Sequence, residues 1–530
     1  MKLTEKTSSL LVIFIIIATS LVFTINLNYI DITIMEARNF VTAREMLIDN
    51  NWFMPTFNGE PRYQKPPLPT WITALSTAIF GVKTLYFYRL PSFLFVAATA
   101  ITSYYFSLEL IKNKKDSLMN SFITLTSFYI IAIALEAPWD IYSHGFMFIA
   151  IYFLYKCLNS NIYSIKTIML ISILIGCSFL SKGPISVYAL LLPFLIAYFI
   201  TYPNLKKEKL KKIIPILITG VIIGLSWYTF IFIEDPTNLI YTTKKETSNW
   251  ANYNVRPFYY YWSFFIQSGI WTIFAFLSLL YPYYKNKIKN YKAYKMTFLW
   301  TIIGVTLLSL IPEKKPRYLM PVLIPLAMNI GFIFRYIINS SNQKKSSKKV
   351  LQFHYLLILI IGSSFFIIKS FILDLTINLF DIILVILSIS VIIKLLNKNN
   401  LTFLNVKIMS LLIVLFSMSN APTLVKKTND QYRSVSELNS LKIETYSNYD
   451  ISPEIIWDFG RVIKKISTKE INEITVNNLN FGLLTKKPLI IKDTLFNNQK
   501  YRVEKITKYD LNRGKRRKRL ITYYHLFSAE

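Results

Sequence analysis

Long apolar runs separated by short polar stretches set the pattern of this chain. An apolar run from Leu10 to about Leu27 comes first. A charged stretch, about Asp31 to Trp71, then leads into a short proline-led run, Leu68 to Phe80. Further apolar runs lie near 88–110, 117–136, 141–158, 164–181, 184–202, 212–233, 258–283, 295–312, 316–338, 351–372, 375–396 and 402–420. A helix needs about 20 apolar residues to cross a bilayer, so these runs predict a polytopic α-helical membrane protein. From about Pro422 the pattern changes. Strand-like ITVNNL and KPLIIKD alternate with a helical pattern near Glu454 to Ile466, predicting a small α/β domain outside the membrane. The expected domains are therefore 1–421, with 31–82 as the first outer loop and its interfacial helices, and 422–530.

Composition sharpens this picture. The 530 residues are 53% hydrophobic and carry a formal charge of +31. Such a charge could indicate nucleic acid, but much of the Lys and Arg sits in short clusters between apolar runs: KNKK at 112–115, KKEKLKK at 206–212, KNKIKNYKAYK at 285–295 and KKSSKK at 344–349. That is the distribution of the positive-inside rule, with membrane lipid as the partner and no nucleic acid. All four clusters face the cytoplasm only if 68–80 lies at the interface without crossing. About thirteen spans result, with the N-terminus inside and the C-terminus outside. The first loop, the corner at Asp140, the loop 234–257 and the loop 312–317 then share the outer face.

Lys2 and Lys6 precede the first run without a small-residue cleavage site, which favours an uncleaved span over a signal peptide. Cys157 and Cys177 lie in apolar segments and read as packing residues. His144, His354 and His525 are scattered without ligand spacing, so neither a metal nor a cofactor is expected. RGKRRKRL at 513–520 suits an anionic lipid or glycolipid surface, or simply a solvated strand end.

The first loop concentrates Glu36, Arg38, Arg44, Glu45, Arg62 and Lys65 beside apolar sequence. Ionisable groups next to a bilayer are costly unless they stay at the water interface or serve a site. Glu36, Asn39, Phe40, Ala43 and Leu47 fall at helical spacing, which predicts a helix with one face on the membrane and another carrying charge. Asn58-Gly59 marks a turn, and Pro66-Pro67 stops any helix arriving from Tyr63.

These residues also resemble a known family. Met35-Glu36 with Arg38, Arg44-Glu45-Met46, Trp52 to Gly59 in W-x-x-P-x-x-N-G, and Tyr63 to Pro67 in Y-x-K-P-P resemble the first periplasmic loop of the bacterial aminoarabinose-transferase and protein-mannosyltransferase-like glycosyltransferases. The family consists of multi-spanning enzymes of the GT-C class that use polyprenyl-phosphate sugars. The family's acidic pair is Asp-Glu. Here Met35 takes the aspartate position, and methionine cannot accept a proton.

Sugar transfer from a lipid phosphate needs a carboxylate for the acceptor's proton and cations for the departing phosphate. The outer loops offer Lys65, Lys182 in SKGP, Arg256 in YNVRPF, and Lys314, Lys315, Arg317 and Tyr318 in PEKKPRYLMP. SKGP, and K-x-x-Y-x-x-P at Lys315, Tyr318 and Pro321, resemble further family signatures. The resemblance implies donor-phosphate binding by Lys65, Arg256 and Tyr318, with Arg38, Lys182, Lys315 and Arg317 beside them. Any one of these also reads as an interfacial anchor or snorkelling cation. Glu36 is the first candidate base. Asp140 is the second, as base or as a group that orients the acceptor, with a helix N-cap as its plain alternative. Some relatives carry Glu before the Lys of Y-x-K-P-P and a His in the later loop. Gln64 stands at the first place, and 234–257 has no His.

The expected function is an inverting, metal-independent transferase in the bacterial inner membrane, with its site facing the periplasm. It would move a sugar from a polyprenyl-phosphate donor to a glycolipid such as lipid A, another glycan or a protein. One rival is a transporter or flippase for lipid-linked sugar, for which charged mid-span residues and broken helices paired across two halves would speak; the sequence suggests neither. The other is a family member that binds lipid-linked sugar without chemistry.

Overall fold

The computed structural model describes residues 5–25, 27–136, 138–160, 164–203, 207–341, 343–368, 377, 379–396, 408–417, 429–441, 443–467, 480–488, 493–496, 499–512, 514 and 518–529. The expected boundary at Pro422, the ITVNNL run and half of the 513–520 basic run lie outside them. So do four residues of KPLIIKD.

Among the described residues seven helices are long and apolar enough to cross a membrane: Leu85–Ile111, Pro138–Ser160, Ile165–Lys182, Lys211–Glu234, Phe258–Leu279, Tyr291–Leu310 and Pro316–Ser340. Lys114–Thr126 and Phe128–Glu136 make an eighth if that bent pair is one span. Leu68–Phe80 is helical over 13 residues. At 1.5 Å per residue that is roughly 20 Å, short of a hydrocarbon core of about 30 Å.

Three runs that read as continuous are interrupted. The 117–136 run bends by 44° at Ser127, whose ψ of 119° is extended. The 184–202 run begins with a π-helical turn at Val187–Leu191 before Leu192–Thr201. The 258–283 run is 3₁₀ through Phe258–Tyr261 and Phe264–Trp271 before Thr272–Leu279, with Gly269 at φ 65°. Two of these breaks meet. A Cβ on Gly269 would stand 3.0 Å from the Phe128 Cβ, and Trp271 Nε1 donates to Thr126 Oγ1 at 2.7 Å. Apolar periodicity reports burial and says nothing of a local extended residue, so the sequence hid these breaks.

The chain divides into two compact units. The first comprises Met1–Ile30, Tyr63–Ile72 and Ile79–Leu424. Its helices approach closely through small residues. A Cβ at Gly176 would stand 2.4 Å from Ile223, and one at Gly224 would stand 2.3 Å from Phe179. Buried polar groups tie other helices together: Asn329 Nδ2 donates to Ser278 O at 3.1 Å, and Trp300 Nε1 to Leu190 O at 2.9 Å. Cys157 and Cys177 are free thiols.

The second unit comprises Asp31–Arg62, Thr73–Ala78 and Val425–Glu530. The first loop thus groups with the end of the chain. It contributes the helix Ile34–Asp49 and a hairpin of β1 (Thr56–Phe57) and β2 (Glu60–Pro61). The later segment supplies β3 (Thr445–Ser447), β4 (Lys464–Lys465), β5 (Asn480–Thr485), β6 (Asp493–Phe496), β7 (Gln499–Asp510) and β8 (Ile521–Ala529). These six form one sheet in the order β4-β3-β5-β8-β7-β6. β3 runs parallel to both neighbours; the remaining pairs are antiparallel. The helix expected near Glu454 to Ile466 is shorter, Pro453–Phe459, because Gly460 at φ 85° ends it as a left-handed cap.

The loop helix does not reserve its apolar face for lipid. Val41, fully buried, shares a core with Val435, Ile455, Ile456, Phe459 and Leu484. Phe40 meets Trp457 edge to face at 5.7 Å between centroids. The spacing is helical, as expected, but the apolar face of the helix is buried against protein.

Candidate functional site

In the first unit the SKGP and PEKKPRY segments and the Asp140 corner converge. Lys182 is the last residue of Ile165–Lys182. Gly183 caps that helix at φ 72°, ψ −156°, and its N–H donates to Phe179 O at 2.7 Å. Few residues but glycine adopt that backbone, so Lys-Gly-Pro puts a cation at a sharp chain reversal. Asp140 lies in the first turn of Pro138–Ser160, 1% exposed, and its Oδ1 pairs with Lys182 Nζ. It is therefore an ion-pair partner, not the N-cap that was its plain alternative.

The 312–319 segment brings in the remaining groups. An isolated bridge joins Val255 to Glu313, and Arg256 N–H donates to Pro312 O at 3.2 Å. Tyr261 Oη receives Lys315 N–H at 3.1 Å and donates to Lys315 O at 3.0 Å. Pro316–Leu319 is a 3₁₀ turn. It sets the Tyr318 ring against three cations: Lys182 at 5.3 Å, Lys315 at 5.6 Å and Arg317 at 5.8 Å to the centroid. Such contacts hold a cation by the ring's electron-rich face. Lys315 also pairs with Glu313. Arg317 lies within electrostatic reach of Asp140 and Lys182, and Lys65 within reach of Lys182. Among the described residues neither Asp140 Oδ2 nor Arg317 Nε, both buried, has a hydrogen-bond partner.

Lys65 pairs with Glu246 at 3.6 Å, and its neighbour Tyr63 donates to Asp235 Oδ2 at 3.0 Å. Burial and then that hydrogen bond push the Tyr63 phenol up to about 12. Lys314 holds backbone together. Its ammonium donates to Arg256 O and Ile311 O at 2.9 and 2.6 Å, and burial pushes it below the ordinary lysine range. Arg256 is exposed, its guanidinium 6.0 Å from the Tyr260 centroid. Below Asp140, His144 Nδ1 meets Ser186 Oγ at 2.8 Å, and Ser186 Oγ meets Ser143 Oγ at 2.7 Å. His144 is a buried polar contact between helices.

Asp140, Lys182, Lys315, Arg317 and Tyr318 thus gather, with Lys65 in electrostatic range. Sequence reasoning missed Glu313, and it missed Glu136, which accepts from Tyr129 Oη at 2.6 Å. An acid at the end of the apolar run 128–136 was the available signal.

Glu36 and Arg38 belong to the second unit. Glu36 is fully buried and completes a capping box: its N–H donates to Thr33 Oγ1 at 3.2 Å, and its Oε2 accepts from Thr33 N–H at 3.0 Å. Arg38 is exposed on the same helix, and its carbonyl accepts from Arg62 Nη1 at 2.8 Å. Burial first, then the charge of Arg38, bring Arg62 down to about 9, against a raising pull from Glu45.

The remaining loop motifs build structure. Glu45, 4% exposed, accepts from Thr56 Oγ1 at 2.7 Å, Asn58 N–H at 2.8 Å and Gly59 N–H at 3.3 Å. Asn58 and Gly59 both have positive φ, 58° and 79°, as a tight hairpin turn requires. The Asn58 amide bonds both ways with the Ile463 backbone, at 2.7 and 2.8 Å. Arg44 donates to Trp457 O and Ile456 O at 3.1 and 3.2 Å, near the end of Pro453–Phe459, and its guanidinium stands 5.3 Å from the Trp457 ring centroid. Among the described residues no three His, Cys, Asp or Glu side chains gather as metal ligands.

Seven membrane-length helices and the architecture above define a polytopic membrane protein with the GT-C glycosyltransferase fold. The particular likeness is to the aminoarabinose transferases, as the first loop implied. The crystal structure of ArnT from Cupriavidus metallidurans bound to undecaprenyl phosphate superposes with a TM-score of 0.71 at 14% identity, covering 97% of each chain. The family model described as dolichyl-phosphate-mannose-protein mannosyltransferase matches residues 64–231. The undecaprenyl phosphate-alpha-4-amino-4-deoxy-L-arabinose arabinosyl transferase of Wigglesworthia glossinidia brevipalpis is 28% identical over 321 residues, 59% of this chain and 56% of that one. A transferase of the same description from Pseudomonas fluorescens is 24% identical over 308 residues, 56% and 54%. The chain spans a little over half the length of these relatives.

Proposed function

We propose that the chain is an inverting glycosyltransferase of the bacterial inner membrane, about thirteen spans with an outer C-terminal α/β region, moving a sugar from a polyprenyl phosphate to an envelope acceptor at the periplasmic face. One observation carries this reading: Lys182, Lys315, Arg317 and Tyr318 gathered at the buried Asp140. Charge of that density at a membrane-facing site suits a phosphate that gains negative charge as it leaves. The transferase descriptions of the relatives and the undecaprenyl phosphate held by the ArnT structure support the donor class. The acceptor is a lipid A-like glycolipid, another glycan or a protein.

In this reading an acceptor oxygen attacks the anomeric carbon as the carbon–oxygen bond to phosphate breaks. The phosphate leaves with the bonding pair onto Lys182, Lys315, Arg317 and Tyr318, with Lys65, Arg256 and Arg38 as further donors. A carboxylate takes the acceptor's proton. We assign that role to Glu36. Asp140 is committed to Lys182, and protonating it would leave a buried ammonium unpaired. Asp140 then positions Lys182.

The test is the mass of envelope glycolipids from cells carrying wild type, Glu36→Gln, Asp140→Asn or a deletion, at equal expression. The expected result is loss of one sugar mass from one species on deletion and in both variants. Survival of the mass in Glu36→Gln moves the base to Asp140. If deletion changes no glycolipid, lipid acceptors fall. The breaks at Ser127 and Gly269 favour, as a second reading, movement of lipid-linked sugar. That reading gains if deletion shifts the sugar lipid between leaflets without changing any mass.

A further inference from the structure

At the other end of the first unit's helices lies a cavity of about 310 Å³, at the small end of the roughly 300–1,000 Å³ usual for ligand pockets. Its walls include Lys287, Lys289, Asn290, Arg335, Asn339 and Lys344, and no carboxylate. Arg335 stands on the same run, Pro316–Ser340, as Arg317, roughly 27 Å further along at helical rise. That distance is close to the hydrocarbon thickness of a bilayer, about 30 Å. The cavity and the Asp140 cluster therefore stand at opposite ends of a membrane-length helix.

The cations here are held in place. Lys287 Nζ lies 2.9 Å from the Tyr283 ring centroid, and Lys344 Nζ donates to Tyr336 Oη at 2.9 Å. Arg335 pairs with Asp116 at 3.0 Å. One acid against four cations leaves strong positive charge around a cavity lined by Tyr336, with Tyr283 against Lys287; tyrosines favour the headgroup level. A merely solvated surface would not hold Lys287 and Lys344 on aromatic partners around a half-open hollow.

We propose that this cavity binds the phosphate of an anionic membrane lipid, with Lys287, Lys289, Arg335 and Lys344 as its ligands and the Asn290 and Asn339 amides beside them. Basic pockets between helices at a membrane boundary recognise such headgroups. The proposal is independent of the sugar-transfer reading.

The experiment uses the full chain in nanodiscs of phosphatidylcholine with a minority of phosphatidylglycerol. Retained lipid is read by native mass spectrometry, and the thermal midpoint is followed in parallel with inorganic phosphate. Wild type is expected to retain phosphatidylglycerol over phosphatidylcholine. Lys287→Gln and Lys344→Gln each weaken retention about fivefold, with unchanged elution on size exclusion. Lys349→Gln, outside the cavity, leaves it unchanged. Equal loss in Lys349→Gln would make the attraction a general surface charge and overturn the site. So would the absence of any preference for phosphatidylglycerol. A midpoint raised by inorganic phosphate as much as by lipid would keep the phosphate site and overturn its assignment to a membrane lipid.

Discussion

The first-loop motif and the Asp140 cluster are both rich in charge, yet the structure uses that charge in opposite ways. In the loop, Arg44, Glu45 and Asn58 spend their hydrogen bonds on backbone: a hairpin, a helix end and the strand-like stretch at Ile463. Around Asp140 the charges meet one another, and two buried polar atoms keep no hydrogen-bond partner among the described residues. The contrast teaches that a fixed spacing over many residues measures how much backbone a motif must satisfy. The cluster at Asp140 draws on few residues, and these lie far apart in the chain.

Substitutions can break that contrast. Asp140→Asn should lower sugar transfer by about 10²–10³-fold while the second unit keeps its thermal midpoint; rates from purified enzyme and a melting curve decide. Glu45→Gln should behave in reverse, costing about 3 kcal/mol of stability with transfer per folded molecule near wild type. A denaturation series followed by Trp457 fluorescence measures it. Asn58→Ala removes both links to Ile463 and should cost about 2 kcal/mol, seen as faster proteolysis between the loop and the 425–530 segment. Loss of transfer in Glu45→Gln beyond its loss of folded protein would erase the distinction drawn here.

A smaller test uses pH. His525 is buried in β8, its Nε2 against Thr485 Oγ1 at 3.0 Å, and burial lowers its affinity for a proton. The unfolded chain takes up that proton near the ordinary value of 6.5, and the folded one only further down. Stability of the second unit should therefore fall as pH drops below 6.5, and His525→Gln should flatten that slope. Tyr63 works in the other direction. Its raised phenol keeps the proton when folded, so its contribution is full below pH 10 and is lost as pH rises toward about 12. Tyr63→Phe should remove that limb and about 1 kcal/mol.

Much of this was legible in the sequence. Apolar runs located the seven membrane-length helices found among the described residues; the spacing of Glu36, Asn39, Phe40 and Ala43 located the loop helix. Lys182, Arg317 and Tyr318 were candidates because they lie in outer-loop stretches, SKGP and PEKKPRYLMP, that resemble family signatures and offer donors to a phosphate. What stayed hidden is pairing. Nothing in a linear pattern says that Asp140 takes Lys182, or that Val41 finds Ile455. Glu36 also illustrates the limit: its spacing from Thr33 is a capping box as well as the family's acidic position. The breaks at Ser127 and Gly269 escaped because a single extended or left-handed residue leaves hydropathy unchanged.

The shared core of Val41 and Ile455 also sets a schedule for synthesis. Arg44 and its partner Trp457 are 413 residues apart. At about 5–20 residues per second on the ribosome, the finished first loop waits roughly 20–80 s for the segment that covers it. Throughout that interval Phe40 and Val41 are open to whatever is nearby. The loop's early life is thus a matter of custody, held by membrane surface or chaperone until the last hundred residues arrive. Cells short of such help should lose this protein first as loop-nicked fragments.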